Sequence, residues 1–161
     1  TSDVGLLLLN IFIIAILAGI GEEFTFRGVL QGLLTSDKFG SSRAIPHMAI
    51  WATAFLFSAI HMQFYGFIPR MLMGAFFGYA LVWSGSIWVP ILMHSLNNAI
   101  VVVLTYIAHQ KQWDPQVLDN FGTGDTLWVG VCSLLLTIGA FYLLRRSTTI
   151  SSASSRTSIG N

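Results

Sequence analysis

The chain has 161 residues, of which 54% are hydrophobic and only 9% are charged, and its formal net charge is +1. Soluble domains carry about 25% charged residues, so this composition excludes a soluble protein. The small net charge also argues against a nucleic-acid partner. The length suits one domain, and we expect an all-α, multi-pass bundle of transmembrane helices.

Five segments are long and apolar enough to cross a bilayer, which takes about 20 mainly apolar residues. In chain order they run from about Val4 to Leu34, Arg43 to Met62, Phe67 to Trp83, Ser86 to His109 and Thr126 to Leu144. The first is too long for one upright span, so we expect its last two turns to tilt or to leave the hydrocarbon. Residues 1–146 form the predicted membrane domain, and the Ser- and Thr-rich residues 147–161 form a predicted disordered tail.

Lysine and arginine are distributed unevenly over the predicted loops, and this bias indicates orientation. With five spans, the loop after the first segment, the loop after the third and the C-terminal tail share one side, which carries Lys38, Arg43, Arg145, Arg146 and Arg156. We predict that this side is cytoplasmic. Because the chain begins at Thr1 with no signal peptide, we expect a processed chain or part of a longer one, with further spans upstream.

Two carboxylates and an arginine stand at the end of the first apolar run, in the stretch GEEFTFRG at residues 21–28. A charged side chain near the bilayer centre costs at least ~2.5 kcal/mol and is a functional-site candidate by default. On a helix, Glu23 and Arg27 are four residues apart and share a face, whereas Glu22 is rotated by about 100° from Glu23. The spacing therefore predicts that Glu23 and Arg27 neutralise each other and that Glu22 is free to act.

Two further polar sets lie in the apolar segments: Phe57 with His61, and His94 with Asn98. Each set is a weak signal alone. A histidine at the end of a helix is more often structural than catalytic, and a His and Asn pair four residues apart can simply join two helices.

Together the three sets form a specific combination: Glu-Glu-x-x-x-Arg, Phe-x-x-x-His and His-x-x-x-Asn, in this order on three apolar helices. The combination resembles the CAAX protease and bacteriocin-processing family, also called the Abi or type II CAAX prenyl endopeptidase family. The resemblance covers residues 21–99, and its motifs fall on Glu22, Glu23, Arg27, Phe57, His61, His94 and Asn98.

The resemblance implies an intramembrane endopeptidase with a polar cavity between its helices. It also implies a peptide or lipidated-protein substrate in the bilayer, and a place in a bacterial cell membrane. The family includes eukaryotic enzymes that trim prenylated CAAX proteins and bacterial members linked to bacteriocin processing, self-immunity or peptide maturation. The sequence contains no feature that distinguishes between these substrates.

The chemistry of peptide hydrolysis needs an activated water and a stabilised oxyanion. A partly desolvated Glu22 suits the role of general base, and His61 can hydrogen-bond the same water or relay its proton. His94 and Asn98 can both donate hydrogen bonds from one helical face, which suits the oxyanion. The serines beside the two histidines are predicted to point to other faces, so we expect no serine nucleophile.

A zinc protease is the alternative, because Glu22, His61 and His94 could form a set of two histidines and a carboxylate. Three observations argue against it: no His-Glu-x-x-His helix is present, the two histidines stand on separate helices, and their helices offer no carboxylate to orient them. His94 is also paired with Asn98, which is a poor zinc ligand. We therefore predict no metal and no other cofactor, with zinc left open.

Two rival functions keep the same helices. A non-enzymatic immunity or scaffold protein would not need the intact constellation, and a proton-coupled transporter would place similar groups in the membrane. Transporters often show inverted repeats and broken helices, and neither is visible in the sequence.

The predicted site residues lie at different distances from the cytoplasmic ends of their helices. At 1.5 Å per residue, Glu22 lies ~18 Å before Leu34 and His94 ~12 Å after Ser86, while His61 lies ~27 Å along its helix from Arg43. The second helix is therefore expected to tilt, or to begin well outside the hydrocarbon.

Overall fold

The computed structural model describes residues 3–35, 45–64 and 66–113, together with Gly139 and Tyr142. Within these ranges the chain forms four main helices, α1 (Val4–Leu34), α2 (Ile45–Ala59), α3 (Phe67–Ser84) and α4 (Trp88–Gln110). The described residues contain no strand, so the all-α prediction is confirmed.

Three of the helices, α1, α3 and α4, are long and apolar enough to cross a membrane by length and composition. α2 has 15 residues, which corresponds to about 22 Å. The predicted count of five spans is therefore approximate. The predicted fifth segment, residues 126–144, lies outside the described residues except for Gly139 and Tyr142, and the predicted tail at 147–161 lies wholly outside them.

The long helix α1 has the predicted bounds, but its winding changes along its length. Ile11–Leu17 and Phe24–Gln31 are wound as π-helix, and the remainder is α-helix. Turns of π-helix are rare and often occur at functional sites. The second π segment begins directly after the two glutamates, so the change in winding coincides with the predicted site.

Polar side chains of α1 bind the backbone of α3. Arg27 Nη2 donates to the carbonyl oxygen of Gly74 at 2.7 Å, and Gln31 Nε2 donates to that of Gly78 at 3.2 Å. Both pairs are separated by 47 residues in the chain, so the two helices run in the same direction in one register. The two glycines thus provide acceptors as well as close packing.

The same two glycines let α3 approach α2 closely. A Cβ atom at Gly78 would lie 2.9 Å from Ile50 Cγ2, and one at Gly74 would lie 3.3 Å from Ala54 Cβ. Ile50 and Ala54 form the buried apolar core together with Ala75. A side chain at Gly78 would force its neighbours to shift, and one at Gly74 would make a tight contact, so the two glycines permit the observed separation of the helices.

The antiparallel pair α1 and α4 also has a close contact. A Cβ atom at Gly19 would lie 3.2 Å from the backbone nitrogen of Ser95. Nearer the start of α1, Asn98 Nδ2 donates to the carbonyl oxygen of Ile14 at 3.2 Å. These contacts hold the polar face of α4 against the part of α1 that directly precedes the glutamates.

Contacts between helices, rather than chain ends, set the depth of His61. The Phe57 ring centroid lies 4.8 Å from Arg27 Cζ, which places these two residues at one level. His61 follows Phe57 by one turn, and Glu22 precedes Arg27 by just over one turn on a helix that runs the other way. Both residues therefore reach the same level of the bundle.

Residues from Ile107 onward belong to a second compact unit, of which residues 107–113, Gly139 and Tyr142 are described. There the backbone N–H of Trp113 donates to the carbonyl oxygen of Ala108 at 2.9 Å. Lys111 Nζ lies 6.0 Å from the centroid of the Trp113 ring. The predicted site residues all lie in the first unit, residues 1–106.

Candidate active site

The four side chains predicted to be catalytic, Glu22, His61, His94 and Asn98, line one cavity of about 270 Å³. They come from the middle of α1, the turn after α2 and the first half of α4. Residues far apart in the chain are thus brought together among apolar helices. The sequence alone could propose this grouping only through the family resemblance.

Glu23 and Arg27 form the predicted ion pair inside α1. Arg27 Nη1 lies 3.0 Å from Glu23 Oε1, and both side chains are fully buried. Arg27 also donates to the carbonyl oxygen of Gly74. A buried charge is tolerated when it is paired and hydrogen-bonded. Arg27 has one ion pair and one hydrogen bond, while its Nε and Nη1 meet no hydrogen-bond acceptor among the described residues.

The same glutamate holds His94, which the sequence analysis did not foresee. His94 Nδ1 lies 2.7 Å from Glu23 Oε1, and His94 is itself buried. The helices that carry the histidines offer no carboxylate, as the sequence indicates, but α1 supplies one to His94 across the bundle. The missed signal was that Glu23 can accept from two partners at once, since a carboxylate has about four acceptor positions.

His61 is oriented by its own chain. It stands in the turn that follows α2, and its Nδ1 lies 2.7 Å from the carbonyl oxygen of Phe57. A carbonyl only accepts, so Nδ1 carries the proton. The other ring nitrogen, Nε2, is then free to bind a water or a reacting group.

Glu22, unlike the buried Glu23, has a partly exposed side chain. Its side chain is 31% exposed, and its Oε2 lies 3.8 Å from His94 Nε2, which is too long for a hydrogen bond. Among the described residues, Glu22 has no shorter polar contact. It is therefore the unpaired carboxylate of the cavity, as its rotation on the helix predicts.

Asn98 is fixed by one of its two N–H groups. Nδ2 donates to the carbonyl oxygen of Ile14 at 3.2 Å, while Oδ1 accepts from Asn97 Nδ2 at 3.4 Å. An amide nitrogen carries two hydrogens, so one N–H is left to donate to a group in the cavity.

Two phenylalanine rings form walls around the histidines. Phe57 meets His61 and His94 edge to face, with centroids 5.1 Å and 5.8 Å apart. Phe77 stacks on His94 at 5.1 Å, and its centroid lies 5.6 Å from Arg27 Cζ. Phe77 was not predicted. The sequence signal for Phe77 is its position directly before Gly78, because a residue next to a glycine at a close helix contact is expected near the neighbouring helix.

The predicted absence of a serine nucleophile agrees with the position of Ser58. Its side chain is fully buried, and Oγ donates to the carbonyl oxygen of Phe67 at 2.7 Å. Ser95 instead packs against Gly19 at the contact of α1 and α4. Neither serine lines the cavity.

The three candidate zinc ligands do not form a metal-binding cluster. Within the part of the chain that the structure describes, no three His, Cys, Asp or Glu side chains are close enough to hold one metal ion. Glu22, His61 and His94 share the cavity wall but do not form such a group.

The site lies within the range of a known protein family. A family model described as type II CAAX prenyl endopeptidase, Rce1-like, matches residues 4–100. The chain belongs to this family. The matched range contains every residue of the three motifs, from Glu22 to Asn98.

This Rce1-like chain is also similar to two bacterial proteins. It is 34% identical over 94 residues to the membrane-embedded CAAX protease MroQ of Staphylococcus aureus (strain USA300), covering 58% of this chain and 38% of that protein. It is 23% identical over 107 residues to the uncharacterized protein YpbD of Bacillus subtilis (strain 168), covering 64% and 49%.

The chain spans less than half the length of either relative. No solved structure matches it. The membrane-capable helices and the bacterial relatives confirm the prediction of a bacterial integral membrane protein.

Proposed function

We propose that this chain is an intramembrane endopeptidase that hydrolyses a peptide bond of a membrane-associated peptide or lipidated protein, using a water activated by Glu22. The observation that carries the proposal is the shared cavity, because four groups suited to peptide hydrolysis converge there from two helices and the turn after α2. Membership of the CAAX endopeptidase family supports the same reaction.

Glu22 is the general base in this proposal. It takes a proton from water, the water oxygen bonds to the carbonyl carbon, and the proton passes to the amine that leaves as the C–N bond breaks. Its lack of a short partner supports this role, since an ion-paired carboxylate is a weaker base. His61 Nε2, left free by the bond from Nδ1 to Phe57, holds the same water.

Asn98 and His94 stabilise the oxyanion. Asn98 donates its remaining N–H. His94 already directs Nδ1 to Glu23, so it can donate from Nε2 only when the ring carries both protons.

The zinc-dependent protease remains the second candidate, and one observation favours it. Each histidine has Nδ1 held by an acceptor, Glu23 for His94 and the Phe57 carbonyl for His61, as metal-bound histidines usually do. The ligands are too dispersed to hold one ion, so we favour the reaction without metal. The two candidates differ at His94 Nε2, which donates a hydrogen bond in one and is a ligand in the other.

The test begins with the substrate. Peptides that accumulate in membranes of cells carrying Glu22→Gln, compared with cells carrying the parent, identify it by mass spectrometry. The peptide is then offered to purified protein in vesicles. Cleavage by the parent and not by Glu22→Gln supports the proposal. Ion flux without cleavage would instead support a transporter. The absence of both cleavage and ion flux would support an immunity or scaffold protein.

Metal dependence is tested on the same vesicles. We expect activity to survive prolonged chelation, and elemental analysis of active protein to find far less than one zinc per chain. Stoichiometric zinc, with activity lost to the chelator and restored by added zinc, would overturn the metal-free reaction.

A further inference from the structure

Arg70 is a charged residue that the proposed reaction does not use. It is the only Lys, Arg, Asp or Glu between Arg43 and Lys111. It lies in the first turn of α3, where its backbone N–H donates to the Gly66 carbonyl oxygen. A cation is unfavourable at this end of a helix, since the helix dipole is positive there. Arg70 nevertheless lines the same cavity as Glu22.

The hydrogen bonds of Arg70 are incomplete. Nη2 donates to Gln63 Oε1 at 2.6 Å. Nη1 is buried, yet it meets no acceptor among the described residues. No carboxylate in that part of the chain forms an ion pair with Arg70, whereas Arg27 has Glu23. A guanidinium has five N–H groups in a planar fork, so Arg70 has donors to spare for a ligand.

The register of the helices places Arg70 at the level of the reaction. Arg27 binds Gly74 and Gln31 binds Gly78 across the parallel pair α1 and α3. One turn earlier on both helices, the corresponding residues are Glu23 and Arg70. Arg70 therefore lies on the face of α3 that looks toward α1, at the height of the two glutamates.

We propose that Arg70 is a specificity residue that binds a carboxylate of the peptide substrate while Glu22 activates the water; this inference rests on the proposed endopeptidase function. A planar fork with free N–H groups matches a carboxylate in a bidentate arrangement, and the attraction is strong away from bulk water. The carboxylate belongs to the peptide, because the peptide bond must enter the cavity that Arg70 lines. It is either the C-terminal carboxylate or an Asp or Glu side chain.

The experiment uses the full chain in vesicles of neutral lipid and, in parallel, in vesicles of anionic lipid, with the peptide that Glu22→Gln cells accumulate. That peptide is synthesised in three forms: with a free C-terminal carboxylate, with a C-terminal amide, and with its Asp and Glu residues replaced by Asn and Gln. KM and kcat are measured for the parent and for Arg70→Gln.

We expect one neutralised form to raise the parent's KM by roughly tenfold or more, as loss of a charge-assisted bond implies. Arg70→Gln should raise the KM of the free-carboxylate peptide by a similar factor, with kcat nearly unchanged. It should no longer distinguish that peptide from its neutralised form. An effect of the C-terminal amide identifies the terminus as the ligand, and an effect of Asn and Gln identifies a side chain.

Three control variants separate binding from structure. Gln63→Ala removes the bond to Arg70 and keeps its charge, so the preference for a carboxylate should remain. Arg70→Lys should keep part of that preference. Lys111→Gln removes an exposed cation outside the cavity and should change nothing.

The inference is overturned if the parent cleaves charged and neutralised peptides with equal KM, or if Arg70→Gln keeps the parent's preference. It is also overturned if the effect of Arg70→Gln appears only in vesicles of anionic lipid, because the ligand is then a lipid phosphate. In each case cleavage itself stands. A parent that cleaves no peptide would instead refute the proposed function, and this inference with it.

Discussion

Two neighbouring carboxylates occupy opposite environments in this protein. Glu23 is fully buried and contacts both Arg27 and His94 at 3.0 Å or less. Glu22, the preceding residue, is 31% exposed and its nearest such contact is 3.8 Å long. One helical step thus separates a carboxylate that holds the structure together from one that is available for chemistry.

The comparison extends to the groups around each carboxylate. Around Glu23 lies a buried polar cluster in which Glu23 pairs with Arg27 and His94, and Arg27 donates to the backbone of Gly74. Around Glu22 lies the cavity, in which His61 and Asn98 each keep a donor or acceptor free. Charges are costly in a low-dielectric interior, so the cluster near Glu23 neutralises itself and leaves the free groups to the cavity.

The largest expected effect is on turnover in Glu22→Gln. This change removes the proposed base and little else, so cleavage should fall by at least ~10²-fold, within the range for loss of acid–base catalysis. The amount of folded protein in the membrane should stay near that of the parent. Turnover is measured with the vesicle assay and folding by thermal unfolding in detergent. Full activity in this variant would show that Glu22 is not the base.

The corresponding change at the next residue, Glu23→Gln, should lower the stability of the folded protein. Glu23→Gln leaves Arg27 without a buried counter-charge, and breaking a buried pair costs about 3–5 kcal/mol. Arg27→Ala should have a similar effect. Both variants should yield less folded protein and a lower Tm than Glu22→Gln, which is the matched control. If Glu23→Gln is as stable as the parent, the contrast between the two glutamates is wrong.

Asn98→Ala tests the proposed oxyanion role. Loss of one donor should lower kcat by ~10²–10³-fold with a much smaller change in KM. His94→Ala should lower kcat as much. Asn97→Ala, a neighbouring half-buried amide, is the control and should cost far less. In a zinc enzyme, by contrast, His94→Ala and His61→Ala would remove bound metal while Asn98→Ala would matter little.

The smallest effect concerns the glycines that let the helices approach. Gly78→Ala places a methyl group 2.8 Å from Gln31 Oε1 and 2.9 Å from Ile50, and overpacking of this kind costs about 1–3 kcal/mol. Gly32→Ala on α1 meets no atom within 4 Å and should be neutral or stabilising by up to ~1 kcal/mol. Equal Tm values for both variants would show that close packing at Gly78 is unimportant.

Local patterns determined much of this protein. The mainly apolar stretch from Val4 to Leu34 predicts α1. Its side chains suit the hydrocarbon of a bilayer, and in that environment the backbone must form its hydrogen bonds within the helix. The four-residue spacing of Glu23 and Arg27 determines their pairing, since residues at that spacing share a helical face. The three motifs also indicated the family, which the match over residues 4–100 shows.

The contacts between different helices could be identified only from the tertiary structure. No pattern in α4 indicates that His94 binds Glu23, because the two residues are 71 positions apart and a histidine can turn either ring nitrogen to a partner. The depth of His61 depends on how α2 packs on Gly74 and Gly78, and the chain ends do not set it. The open hydrogen bonds of Arg70 likewise follow from what surrounds it. Local spacing decides which residues share a face of one helix, whereas packing decides which faces meet.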